Sequence, residues 1–250
     1  MKLKIFLAYL MIHLLYANLS SAQNSYEIYN DVDNNYDALV IHDPFEKFNR
    51  KIHNFNKAFD KTLLAPITNI YDRTIPVYAR KSLNNALTNL REPIYFVNHS
   101  IQFSFHEALQ TFWRFFFNST LGIAGMHDFA GTYLDLPAIP NDFEYSLSKL
   151  CIAHGPYIVL PLFGGSSVRG GVGKAVDTFA DPVNYLKDNS DWLYAKGALT
   201  LVNFRSTHGY LFEDLTNLSV DDYAMVKSIY SQKILNRANK IKYCNKKRVK

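Results

Sequence analysis

The residue types that carry covalent chemistry are present in this chain, but not at the spacings covalent chemistry needs. A nucleophile elbow requires Gly-x-Ser-x-Gly, which exposes a serine on a sharp strand-to-helix turn. Gly164-Gly165-Ser166-Ser167-Val168 fails at its last position. A phosphate loop needs a glycine five residues before its Gly-Lys-Ser/Thr end, so that backbone N–H groups cradle the phosphate. Lys174 follows Gly173, but Val168 occupies the glycine position and Ala175 replaces the magnesium-binding hydroxyl. Gly171-Val172-Gly173 is followed by Val176, not by the third glycine of a dinucleotide fingerprint. The eight histidines form no His-Glu-x-x-His pair, and no run of acids has calcium-loop spacing. The sequence therefore assigns no catalytic residue, no metal ligand and no cofactor.

What stands out instead is polar residues set among aromatic rings. Aromatics make up 15% of the 250 residues, including 18 Phe and 17 Tyr, and that many rings need a large core, a lipid-facing surface or a partner interface. Phe45, Phe48, Ile52, Phe55 and Phe59 recur at spacings of three and four, which puts them on one stripe of a helix. Asp43 is expected to cap that helix, with Pro44 in the first position and Lys47, Arg50, Lys51 and Lys57 opposite the rings. Full burial of each ring is worth roughly 1.5–3 kcal/mol, so the stripe must face something apolar, and periodicity alone does not say whether that is core or acyl chains. Phe105 to Phe117 is the most aromatic stretch, with Arg114 embedded in it; a charge there needs a partner or a route to water.

The supporting elements read as helices. Pro66 and Pro76 bracket a short segment over 67–73; a helix follows over 77–90, and Pro93 opens another carrying Ile94, Val97 and Ile101. Residues 121–131 look turn-like and 142–150 helical. The apolar run between Gly155 and Gly165, bracketed by Pro and Gly, is too short for a helix and reads as an extended loop or short strand. Helices resume over 172–179, 191–204 and 219–241, the last with Ser219 and Asp222 as a capping pair. The class is all-α.

The ends read differently. Lys2 and Lys4, the apolar stretch 5–19 and Ser20-Ser21-Ala22 have the grammar of an export signal over 1–22, cut near Ala22. Residues 23–42 form an acidic, flexible leader, 43–235 the folded domain, and 236–250 a tail with seven Lys or Arg and no acid. The tail suits a solvated end, a contact with anionic headgroups or an acidic partner; no basic patch interleaved with aromatics in the body points to nucleic acid. Cys151 and Cys244 form no metal or disulfide framework by spacing.

The order of short motifs resembles the MlaA/VacJ family. Asp43-Pro44-Phe45-Glu46, Phe48-Asn49-Arg50 and Asn54-Phe55-Asn56 open it. Asn89-Leu90-Arg91-Glu92-Pro93, Arg114-Phe115, Asn118, Gly122, Gly125, Asp128 and Asp142-Phe143 continue it, and Gly155-Pro156-Tyr157, Leu160-Pro161, Arg169 and Asp181-Pro182 complete it. The resemblance implies a ring of amphipathic helices lying in one leaflet of the outer membrane around a central channel, and no enzyme. Phospholipids misplaced in the outer leaflet would pass through the channel to a periplasmic lipid-carrier protein, with a trimeric porin as a further partner. On that reading Phe45, Phe48, Ile52, Phe55, Phe59, Phe112 and Phe116 face lipid or line the channel. Asn49, Arg50, Asn54, Asn56, Arg114 and Arg169 are the candidates for headgroup contact.

Three features depart from the family pattern. No Cys precedes Cys151, so no lipid-bearing cysteine is expected and the protein would sit on the periplasmic side of the outer membrane unacylated. Ile101-Gln102-Phe103 replaces Leu-Gln-Gly and Glu144 replaces a Gly. Gly170 replaces an Asp after Arg169. The alternative functions are an envelope phospholipase or other hydrolase, and a surface adhesion or scaffold protein.

Overall fold

Asp60 to Leu64 forms a single π turn in which the Ala65 N–H reaches back to the Asp60 carbonyl, and it joins the first two helices into one continuous rod. The computed structural model describes residues 41–185, 190–239 and 241. The proposed signal, nearly all of the leader and most of the basic tail, with Cys244, lie outside the described residues. In chain order the helices are α1 (Glu46–Phe59), α2 (Ala65–Thr74), α3 (Val77–Asn89), α4 (Glu92–Ile101), α5 (Phe105–Thr120), α6 (Phe129–Tyr133), α7 (Phe143–Lys149), α8 (Val168–Ala180), α9 (Ser190–Leu218) and α10 (Asp222–Asn239). Between α7 and α8 stands an antiparallel hairpin of β1 (Tyr157–Leu160) and β2 (Gly164–Ser167), with Tyr157 opposite Ser167 and Leu160 opposite Gly164.

The fold is helical as the periodicity predicts, and several details differ for local reasons. Asp43 does not cap α1. Its carboxylate instead accepts from Asn49, from the Tyr223 hydroxyl and from Lys227, and Phe45 stands at the helix start without a side-chain cap. The capping acid of α10 is Asp221, which accepts from the Ala224 N–H at 3.1 Å, so the helix starts at Asp222 and not at Ser219. α10 ends at Asn239, close to the predicted 241, and its last turn carries Arg237, held by Asp142 and Glu144. α9 extends from the predicted 191–204 to Leu218. The turn-like stretch contains α6, capped by Asp128 accepting from Gly131 N. Cys151 is disulfide-bonded.

The apolar run between Gly155 and Gly165 is an edge strand, and α1 supplies what a neighbouring strand would. Asn49 donates Nδ2 to the Tyr157 carbonyl at 3.0 Å and accepts from Val159 N at 2.9 Å. Asn56 repeats the pattern, donating to the Leu160 carbonyl at 3.0 Å and accepting from Leu162 N at 2.8 Å. The match is metric. Seven residues of α-helix rise about 10.5 Å and three residues of strand span about 10 Å, so two amides two turns apart reach points three residues apart along the hairpin, the first on the edge of β1 and the second at its end and the turn that follows. Leu162 and Gly164, both at positive φ, turn the chain back into β2.

The main cluster of buried apolar side chains lies beneath this joint: Ile41, Tyr157, Val159, Tyr223, Tyr230 and Ile234, with Ile52 against them. Around it, charged pairs tie α1 to the start of α10. Arg50 bonds Asp221 through both terminal nitrogens, at 3.1 and 2.7 Å, and lies over the Tyr223 ring, and Lys57 pairs with Asp222. The α9 helix packs along α2 and α3 through Asn203, which accepts from Tyr71 and donates to Asn84, and through Arg205 with Asp60.

His99 shows how tightly polar groups are fixed. Its Nε2 reaches the Ile139 carbonyl at 3.0 Å, so it must donate, and Nδ1 accepts from Asn141 Nδ2 at 2.9 Å. Asn141 cannot turn over, because its oxygen already accepts from Gln102 and from Asp142 N. The ring is thereby held neutral, and burial lowers its pKa; burial also lowers that of His154.

Two expectations follow. Asn49→Ala leaves a buried carbonyl and a buried N–H of β1 without partners, at roughly 1–3 kcal/mol per group. Chemical denaturation should show a loss of about 2–4 kcal/mol, with a smaller loss for Asn56→Ala at its half-buried position. For pH, the native imidazoles of His99 and His154 bind fewer protons than unfolded histidine, whose pKa is about 6.5. Stability is then complete above that value and falls as pH drops below it. Glu92 and Asp177, pushed up by burial, act with the opposite sign. Melting temperatures should therefore decline from pH 7 to about 5.5, and His99→Gln should flatten that decline.

Candidate functional site

α5 has its amphipathicity inverted. The side it turns inward carries Ala108, Thr111, Arg114 and Asn118, and the side it turns outward carries Phe105, Leu109, Phe112, Trp113 and Phe116. Arg114 is 3% exposed, whereas Phe105 is 69% exposed. The outer rings pack on each other: Phe112 edge-on to Trp113 at 5.4 Å, Trp113 stacked on Phe117 at 5.5 Å, and Phe96 of α4 joining Phe112 at 6.2 Å. α1 is built the same way. Asn49 is fully buried and Phe45, Phe48 and Phe55 are exposed, Phe48 by 61%, with Ile52 and Phe59 half-buried. Among the described residues no helix is long and apolar enough to cross a membrane. On each of the two helices the rings form an apolar face along the surface.

An inward polar stripe is tolerable when every group finds a partner. Arg114 donates Nε to Glu92 at 2.9 Å, Nη2 to Asp128 at 3.1 Å and Nη1 to the Leu136 carbonyl. Asn118 donates to the same Asp128 oxygen at 3.0 Å and accepts from Ala130 N at 2.8 Å. Together they draw the 121–136 loop against α5. The loop fits because it carries glycine where no side chain has room: a Cβ on Gly122 would sit 2.2 Å from the His127 carbonyl oxygen, and Gly125, at φ +84°, lies against Asn89. Glu92 is fully buried at the start of α4, and burial raises its pKa against the pull of Arg114.

The other headgroup candidates separate by environment. Asn49 and Asn56 are engaged with β1. Arg50 is shared between Glu46 and Asp221, and Arg169 donates to the Ile152 carbonyl at 2.6 Å. Asn54 is exposed. Thus Arg114 and Asn49 lie in separate, protein-filled sites, and the exposed rings of α1 and α5 form the outer surface. Glu92 and Asp128 are the partners that Arg114 requires. The wish for a partner was legible in the sequence, but their identity needed the loop's path. Phe105, Leu109 and Trp113 extend the outward stripe, and their successive spacing of four is its signal.

The geometry also bears on hydrolysis. Ser166 Oγ lies 3.3 Å from Lys174 Nζ, a serine–lysine contact of the kind that can activate a nucleophile. Both Ser166 and Ser167 are fully buried, and Ser167 Oγ is occupied by Gly170 N and the Tyr230 hydroxyl. A hydroxyl sealed in this way has no approach for a substrate carbonyl. Among the described residues no cluster of three His, Cys, Asp or Glu could hold a metal ion.

One prediction tests the inner stripe. Arg114→Met strands the fully buried Glu92, at a cost of roughly 3–5 kcal/mol, measured by urea unfolding. Adding Glu92→Gln removes the stranded charge and should recover more than half of that loss.

Comparison with known proteins agrees with this architecture. The family model described as MlaA lipoprotein matches residues 41–237. A protein of Rickettsia felis is 30% identical over 213 residues, covering 85% of this chain and 84% of its own. The intermembrane phospholipid transport system lipoprotein MlaA of Escherichia coli (strain K12) is 32% identical over 197 residues, covering 76% of each chain. A solved structure described as the structural basis for maintenance of bacterial outer membrane lipid asymmetry superposes with a TM-score of 0.68 at 31% identity. It covers 78% of this chain and 98% of that one. With outward rings, inward polar knots and matched sequence along nearly the whole described body, the chain belongs to the MlaA lipoprotein family.

Proposed function

We propose that this protein is a phospholipid-transport component of the bacterial outer membrane. It lies in one leaflet on its apolar face, takes up phospholipids misplaced in the outer leaflet, and passes them through an amphipathic passage to a periplasmic lipid-carrier protein. The chemistry is transfer of intact lipid, with no bond made or broken. A trimeric porin is the proposed neighbour within the membrane.

The observation that carries this reading is the inversion of α1 and α5, which leaves rings outside and amides and a guanidinium inside. A water-soluble globule would bury Phe48, Phe55 and Phe105; exposing so many contiguous rings to water is unfavourable, and a hydrocarbon surface relieves it. The name of the Escherichia coli relative, which refers to intermembrane phospholipid transport, points the same way. The proposed hold on the membrane is the ring face. Of the headgroup candidates, Asn54 is exposed and Arg50 is half-buried at the α1–α10 joint, which makes them the pair best placed to meet a headgroup.

Phe48→Asp and Phe55→Asp change exposed positions and should leave the fold intact. Each should reduce partition into phospholipid vesicles at least about tenfold, since a buried ring is worth roughly 1.5–3 kcal/mol. The same vesicles, loaded with labelled phospholipid, distinguish transport from hydrolysis. Transfer of intact lipid supports the proposal, and release of fatty acid would reverse it in favour of the enzyme reading.

A further inference from the structure

α8 and α10 both pack against α7, and the layer of charge where the three converge does not balance. Arg237 on α10 takes up both nearby acids: it donates to Asp142 at 2.6 and 3.0 Å and to Glu144 at 3.2 Å. The remaining Glu144 oxygen accepts from the Tyr230 hydroxyl at 2.9 Å. Two further cations look onto the same place. Lys174 projects from α8, half-buried, and Lys233 lies one turn before Arg237 on α10, exposed, with its ammonium 5.9 Å from the centre of the Tyr230 ring. The groups facing Lys174 are Lys233, Arg237, Glu144 and Asp142, which leaves one positive charge in excess.

An ammonium carries three N–H donors, and Lys174 gives a hydrogen bond to Ser166 Oγ at 3.3 Å. Burial, and after it the repulsion of Lys233, lowers the pKa of Lys174. A cation so placed gains from an anion brought beside it, because the anion offsets the repulsion and occupies free donors. Lysine is a common binder of phosphate oxygens as a point charge. The site opens to solvent on the Lys233 side and is backed by the fully buried Ser166.

We propose that Lys174 and Lys233, with Ser166 as a positioning residue behind them, form a subsite for a phosphate oxyanion where α8 and α10 converge on α7. The subsite is distinct from the ring face. A phospholipid headgroup and a free phosphate ion share this chemistry; for the headgroup as source, the inference rests on the lipid-transport reading.

The test uses the full chain purified in detergent. Binding of inorganic phosphate is measured by calorimetry, and binding to nanodiscs of phosphatidylglycerol or phosphatidylcholine is measured separately. The wild type is compared with Lys174→Met/Lys233→Met and with Lys233→Met alone, whose exposed position keeps the comparison valid if the double variant misfolds. The wild type should bind phosphate or prefer phosphatidylglycerol. The double variant should lose about tenfold in affinity, or about 1.4 kcal/mol, and Lys233→Met alone part of it. Wild-type binding should also weaken at a pH below the ordinary lysine value of about 10.4, as Lys174 loses its proton. Loss of phosphate binding assigns the subsite to phosphate in general; loss confined to phosphatidylglycerol assigns it to headgroups. Equal binding by wild type and variants, or none by the wild type, overturns the subsite. Intact lipid transfer with no such binding would reject the subsite alone, and phosphate binding without lipid transfer would reject the transport reading alone.

Discussion

Polar groups turned inward must be paired, and this requirement organises the molecule. Arg114, Glu92, Asn118 and Asn49 lie where a globular protein keeps leucines, and an unpaired amide or charge there costs several kcal/mol. Each pairing recruits a different piece of chain. Arg114 and Asn118 hold the 121–136 loop, Asn49 and Asn56 hold the β-hairpin, and His99 with Asn141 holds the chain entering α7. Directional bonds replace close-packed hydrocarbon as the source of specificity. The outside is thereby released from serving the core, and it can be aromatic.

The same logic closes the chain on itself. Tyr223 stands among Asp43, Arg50, His53 and Tyr157, so residues from the two ends of the described body share one joint. Partly exposed ion pairs such as Arg50–Asp221 contribute little individually. Their value is in orientation: with the buried tyrosines beneath, they set where α10 begins relative to α1.

Much of this was legible in the residues. The ring stripe of α1, the proline-opened helices α2 and α4 and the need for a partner at Arg114 all follow from spacing and charge. Some helix limits were less legible, because they depend on distant contacts: α9, packed along α2 and α3, runs on past the predicted 204 to Leu218. The direction of the rings was open for the same reason, since a period of 3.6 is the same whether its apolar side faces in or out. Asn49 and Asn56 are the instructive pair. Their seven-residue separation is a measurable property of the sequence, but its meaning depends on a strand more than a hundred residues away.

The π turn between α1 and α2 has a consequence for the line of apolar residues. At 3.6 residues per turn, Phe48 and Phe55 trail Phe45 by about 60° and 80° around the axis. In an unbroken helix Ile67 would lead Phe45 by about 40°, drifting off that sector. The additional residue taken up between Asp60 and Leu64 turns the following helix back by about 100° and returns Ile67 to the angular range of Phe48 and Phe55. One local irregularity in winding thus corrects the screw of two successive helices, and their apolar edges run as one keel along the rod.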